Sequence, residues 1–142
     1  MKQKTTEPKK VLTQSEVDEA NHLFKKAFDF DKEKKYAEAV ACYDKVIKMV
    51  PEHYIAWYNK ANDLARLNKD EEAIVCYSEA IKLHPTDSSY WTNKGLVLLL
   101  QREYAEAVAC FDVSLRLDPL NKTAKTYRAS AKEKQGEVIC LT

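Results

Sequence analysis

The chain has 142 residues, with 23 Lys and Arg against 22 Asp and Glu, a formal net charge of +1, and 45% hydrophobic residues. That balance is globular and long enough for one core of ordinary size. It holds two glycines, Gly95 and Gly136, and four prolines; a phosphate-cradling loop or dinucleotide fold needs clustered glycines, and an all-β sandwich needs many more turn residues, so both are excluded.

In chain order, residues 1–13 carry Lys2, Lys4, Lys9 and Lys10 against Glu7 and read as a flexible basic tail. Thr13-Gln14-Ser15-Glu16 has the capping-box pattern that opens a helix. Three units follow, residues 20–53, 54–87 and 88–121, and their period is written in the residues. Pro51, Pro85 and Pro119 fall 34 apart, as do Cys42, Cys76 and Cys110, and Ala39, Ala73 and Ala107. Tyr43, Tyr77 and Phe111 keep the same step, Trp57 and Trp91 share it, and the stretch from Tyr36 to Cys42 recurs unchanged from Tyr104 to Cys110. Such a repeat marks an array of stacked units.

Within each unit the apolar spacing is helical. In the second, Trp57, Leu64 and Leu67 mark one helix, with Ala61 as a small residue on its face. Asn68-Lys69-Asp70 breaks it, and Ala73, Tyr77, Ala80, Ile81 and Leu83 mark the next. His84-Pro85 ends that helix, since proline cannot continue it and disfavours helical geometry before it. Each unit is therefore a helical hairpin. Ala61 and Ala73 are the small residues that allow its two helices to approach. Residues 122–136 read as a capping helix with Asn121 as N-cap and Gly136 as stop; Ala124, Tyr127, Ala129 and Ala131 face inward and Lys125, Lys132 and Lys134 stay wet. Residues 137–142 are left as a tail. The repeat domain thus spans 14–136.

This pattern resembles the tetratricopeptide repeat. The third unit matches its motif with Trp91, Gly95, Leu98, Ala107, Phe111 and Pro119, with Ser114 at the last alanine; the second with Trp57, Ala61, Leu64, Ala73, Tyr77, Ala80 and Pro85. The first carries Leu23, Ala27, Phe30, Ala39, Tyr43, Val46 and Pro51. The resemblance implies an all-α, right-handed superhelical solenoid of antiparallel hairpins. First helices line its concave groove and second helices form its back.

Nothing in the sequence points to catalysis, a metal or a cofactor. The three repeating cysteines have no CxxC spacing and read as small apolar residues at semi-buried sites, with Cys140 a free thiol. His22, His53 and His84 have no partner at metal-ligand spacing. There is no serine elbow, and acid pairs such as Glu71-Glu72 sit at helix starts, where carboxylates favour the positive helix end. No apolar run approaches the ~20 residues of a membrane span. The polar, lysine-rich N-terminus is not a secretory signal, and the thiols fit a reducing, cytoplasmic setting, with a nuclear one left open.

What remains is the groove. By the resemblance, Asn21, Phe24, Phe28 and Lys32 enter it from the first unit. Ile55, Tyr58, Asn59, Asn62 and Arg66 enter from the second, Ser89, Thr92, Asn93, Leu96 and Leu100 from the third, and Thr126, Tyr127 and Ser130 close it. The run Leu96-Val97-Leu98-Leu99-Leu100 is apolar around the whole helix, so at least one of Leu96, Leu99 and Leu100 faces outward. Asn59 and Asn93 resemble an asparagine ladder with which arrays of this family hold peptide backbones; the alternative is a structural amide bonded within the protein. One subfamily clamps the acidic C-termini of heat-shock chaperones with basic residues. Its places here hold Phe24, Phe28, Asn59, Ser89 and Asn93 or, one repeat on, Tyr58, Asn62, Asn93, Thr123 and Tyr127. None is basic, so that ligand is not expected. The expected activity is non-enzymatic: binding a neutral to apolar segment of a protein or peptide in the groove. The alternative is a structural assembly module docking through its terminal helices. Nucleic acid is favoured only by the basic ends.

Overall fold

The computed structural model describes residues 8–141. They form seven α-helices and no strand: α1 (Gln14–Lys32), α2 (Tyr36–Met49), α3 (Tyr54–Arg66), α4 (Asp70–Leu83), α5 (Ser88–Leu100), α6 (Tyr104–Leu117) and α7 (Lys122–Leu141). Each helix packs on the next in sequence, and α5 also touches α3 and α7. This is the all-α solenoid of hairpins expected from the period.

The helix ends repeat as faithfully as the core. The Thr13 hydroxyl accepts from the Glu16 amide and the Glu16 carboxylate accepts from the Thr13 amide, closing the capping box. Asp87 and Asn121 cap α5 and α7 through side-chain oxygens, and His53 caps α3 through Nδ1, which accepts from the Ala56 amide at 3.2 Å. The helices α1, α3 and α5 end in Schellman motifs without glycine. Lys34, Asn68 and Arg102, again 34 apart, adopt φ of 60°, 58° and 64°. The following amides of Lys35, Lys69 and Glu103 reach back to the carbonyls of Phe30, Leu64 and Leu98, each at 2.9 Å. Between hairpins, the Trp57 and Trp91 indoles donate to the Pro51 and Pro85 carbonyls at 2.9 and 3.0 Å.

The core is a series of clusters, each joining one hairpin to the first helix of the next. Ala27, Ala39, Tyr43, Val46 and Ala56 form the first; Ala61, Leu64, Ala73, Tyr77 and Val97 the second; Leu98, Ala107, Phe111, Ala124 and Ala131 the third. Tyr43 and Phe111 are wholly buried, each contributing roughly 1.5–3 kcal/mol of apolar burial. Gly95 lies flat against Phe111: a Cβ there would stand 2.8 Å from Phe111 Cε1. The Phe111 ring thus occupies the space that a methyl would need at Gly95, where the first two repeats carry Ala27 and Ala61.

Three expectations are corrected here. First, α7 runs through Gly136 to Leu141, so 137–141 is helix rather than tail. Gly136 does not adopt positive φ, the conformation in which a glycine terminates a helix. Second, Ala129 is exposed and Tyr127 half-exposed; only Ala124 and Ala131 of the four bury fully. Ala129 shares the register of Gly95, which faces a hairpin partner, and among the described residues α7 has no such partner. Third, Cys42, Cys76 and Cys110 are fully buried, not half-buried. Residues 1–7 of the basic tail, and Thr142, lie outside the described residues; residues 8–13 are non-helical, with Lys9 3.8 Å from Glu52.

Burial pushes the thiols of Cys76 and Cys110 above their ordinary range, while Cys140 is exposed. A thiol reagent should therefore modify one cysteine quickly and three slowly in the native protein. Four equal rates, followed by mass spectrometry of the modified peptides, would contradict this burial.

Candidate peptide-binding groove

The helices α1, α3, α5 and α7 adjoin along one face, and the residues assigned to the groove divide there by what they touch. Phe24 belongs to the core edge: its ring meets Tyr43 edge-on at 5.8 Å and stacks on His53 at 4.8 Å. Burial lowers the His53 pKa below its ordinary value. Phe28 is exposed, with the Lys32 ammonium 4.4 Å above its ring. Asn21, Ile55 and Ser89 are exposed, and Asn59 lies against the Tyr43 phenol.

The centre of the face is a closed polar network. Asn93 Nδ2 donates to the Tyr58 hydroxyl at 2.9 Å and to Asn62 Oδ1 at 3.0 Å; Tyr77 donates to the same Asn62 oxygen at 2.6 Å. The Tyr58 ring stacks on Tyr90, 4.3 Å between centroids. Both donors of Asn93 are thus used inside the protein. The structural-amide alternative describes Asn93. Thr92 is another reassignment. It is buried, 2.7 Å from the Ser114 hydroxyl, and Asn121 donates to both. Ser114 stands at the motif's last alanine because this polar knot joins α5, α6 and the α7 cap, and that departure was the visible signal of it.

Arg66 serves as an inter-repeat tie. Its Nη1 donates to Asp31 Oδ1 at 2.8 Å and lies 3.4 Å from Asp63 Oδ1, with the guanidinium 5.2 Å from the Tyr36 ring centroid. Asp63 is 1% exposed, and its Oδ2 has no hydrogen-bond partner. Burial, reinforced by the Asp31 carboxylate and only partly offset by Arg66, raises the Asp63 pKa to about 7. Sequence reasoning missed Asp63. The signal was that Val97, one period on, is apolar.

The open part of the face lies toward α7. Leu96 and Leu100, with Tyr77, Arg66 and Asn93, line a mostly apolar cleft of about 250 Å³. Leu100 also borders a second cleft of about 430 Å³, lined by Tyr104, Tyr127 and Ser130 among others. Leu100 is 75% exposed, which meets the expectation that one residue of the leucine run faces outward. Lys32 and Thr126 are exposed at the rim. Among the described residues no group of His, Cys, Asp and Glu is arranged to hold a metal ion, and no helix is long and apolar enough to cross a membrane.

Known proteins agree with this architecture. Tetratricopeptide repeat models match residues 23–53, 54–87 and 76–109. No curated protein matches the chain. Among solved structures, the first TPR of Spaghetti (RPAP3), bound to the HSP90 peptide SRMEEVD, superposes with a TM-score of 0.80 at 24% identity, covering 84% of this chain and 94% of its own. The Arabidopsis OM64 TPR domain gives 0.79 at 23%, covering 83% and 98%. The second TPR domain of human RPAP3, in complex with the HSP70 peptide SGPTIEEVD, gives 0.78 at 27%, covering 82% and 98%. Three repeat models matching across residues 23–109, the 34-residue period of the sequence and a shared solenoid lead to one conclusion: the chain belongs to the tetratricopeptide repeat family.

Proposed function

We propose that the chain is a non-enzymatic interaction module that holds a segment of a partner protein against the face formed by α1, α3, α5 and α7. The observation that carries this reading is where large apolar side chains remain in water. Leu100 and Tyr127 are exposed and line one cleft between α5 and α7, with Phe28 and Ile55 exposed on α1 and α3; single apolar side chains such as Val75 and Leu117 are exposed on the second helices as well. Clustered exposed apolar surface marks interaction sites. The peptide complexes of similar folds support a peptide-holding use of this architecture.

The ligand chemistry differs from those complexes. Phe24, Phe28, Asn59, Ser89 and Asn93 put no cation on the floor, so a pair of terminal carboxylates would be desolvated there without compensation. The segment held across the floor is neutral to apolar, and the paired terminal carboxylates of a peptide such as SRMEEVD find no clamp there.

Affinity capture of the partner with identification by mass spectrometry, then calorimetry on variants, tests the proposal. Phe28→Ala combined with Asn59→Ala should weaken binding about tenfold or more, since anchors of this kind dominate interface energies. Asn93 is left intact in this test because its loss would open the Tyr58–Asn62 network. Lys132→Ala on α7 should leave affinity unchanged. Binding that survives the groove pair and fails at Lys132 would transfer the function to assembly through the terminal helix.

A further inference from the structure

The 34-residue register isolates one residue on the groove face. Lys32, Arg66 and Lys134 occupy equivalent places on α1, α3 and α7; the same place on α5 is Leu100. A leucine there buries little, since three quarters of it lies in water. It lines both clefts and forms the crest between them: the first is mostly apolar, with Tyr77 and Leu96, and the second is mixed, with Tyr104 and Tyr127 beside polar and charged side chains.

The charges around the crest are unbalanced. Arg66 is committed to Asp31 and Asp63. Arg102 and Lys134 line the second cleft with Glu137 as the one carboxylate among them. Neither cation makes an ion pair among the described residues. Arg102 holds the positive-φ position that ends α5, at 64°, as Lys34 and Asn68 do after α1 and α3.

We propose that the two clefts form one bipartite site for an apolar segment carrying a carboxylate: two apolar side chains of the partner straddle Leu100, and an Asp or Glu of the same segment lies against Arg102 and Lys134. This deepens the groove reading and rests on it. It adds an acidic residue to the apolar segment at the α7 end, away from the neutral floor. Free cations beside an uncharged crest select for that combination, since a basic segment is repelled and a wholly apolar one leaves the field unused.

Selection of random peptides displayed on phage against the full chain tests this, followed by fluorescence anisotropy of the selected peptides. The expected winners combine Leu, Ile or Phe with Asp or Glu. Their affinity should fall about tenfold for Leu100→Ser and weaken with added salt. Arg102→Gly is the decisive variant: it relieves the left-handed backbone, so it should melt at the wild-type temperature or higher, yet bind the peptides several-fold less tightly. Winners without carboxylates, or winners indifferent to Arg102→Gly and Lys134→Ser, overturn the proposal. Winners that need Phe28 and Ile55 but ignore Leu100 overturn it and leave the groove reading standing. A library that yields no binder overturns both.

Discussion

Replacing Ala73 by leucine is expected to lower the thermal midpoint by roughly 3–10 °C, from a loss of about 1–3 kcal/mol or more. Ala73 is wholly buried where α4 meets α3, in contact with the cluster of Ala61, Leu64 and Tyr77. Leucine adds three carbons to a gap that holds one methyl. The hairpin must then open, and because each repeat is stable only against its neighbours, the opening also weakens the docking of α5 through Val97. Ala109→Leu is the control: Ala109 is an exposed alanine on α6, in the same repeated motif, and surface changes of this kind usually stay within about 0.5 kcal/mol. Circular dichroism melts of the two variants should diverge. Equal midpoints would mean that the assigned register is wrong.

The second large effect is on pH dependence. Asp63 has a folded pKa of about 7 against 3.8 for the free side chain. Between those values the native protein holds a proton that the unfolded chain has released, so this group's contribution to stability is full in acid and is lost as pH rises from about 4 through 7. The ceiling is roughly 4 kcal/mol over that window, reduced by whatever Asp31 shares of the proton. The groups facing it are Asp31 on α1, Arg66 on α3, and the phenols of Tyr43 on α2 and Tyr77 on α4. His53 acts with the opposite sign. Its lowered pKa means the native state holds fewer protons in acid, so its contribution grows as pH rises toward its unfolded value. Subtracting the urea-unfolding free energies of Asp63→Asn from wild type at each pH removes His53 and isolates Asp63. The variant should gain on wild type steadily from pH 5 to 8, because asparagine keeps the shape and a donor for Asp31 while Arg66 keeps Asp31 as its partner. A difference that does not change with pH would show that Asp63 is ionised throughout.

The sequence alone determined the repeat, the helices and most of their ends. Core alanines, aromatics and cysteines recur at one interval because every hairpin solves the same packing problem against its neighbour. Thr13, Asn121, Pro51 and Pro85 act within a few residues of themselves, so their effects are readable locally. The Schellman turns at Lys34, Asn68 and Arg102 were less legible, since glycine usually announces them and none is present. Tertiary structure decided what the groove residues do. Phe24, Phe28, Asn59 and Asn93 share a face by spacing, yet Phe24 meets Tyr43 and His53, and Asn93 spends both donors on α3. Side chains of that size reach across to whatever the next helix presents, and the choice among partners is made by three-dimensional distance. The same holds for Asp31, Asp63 and Arg66, which are scattered over 35 residues and meet only when the first two repeats stack. It holds also for which leucine of the 96–100 run faces water: the run requires at least one to do so, and Leu100, beside the cleft that Tyr127 also lines, is the one.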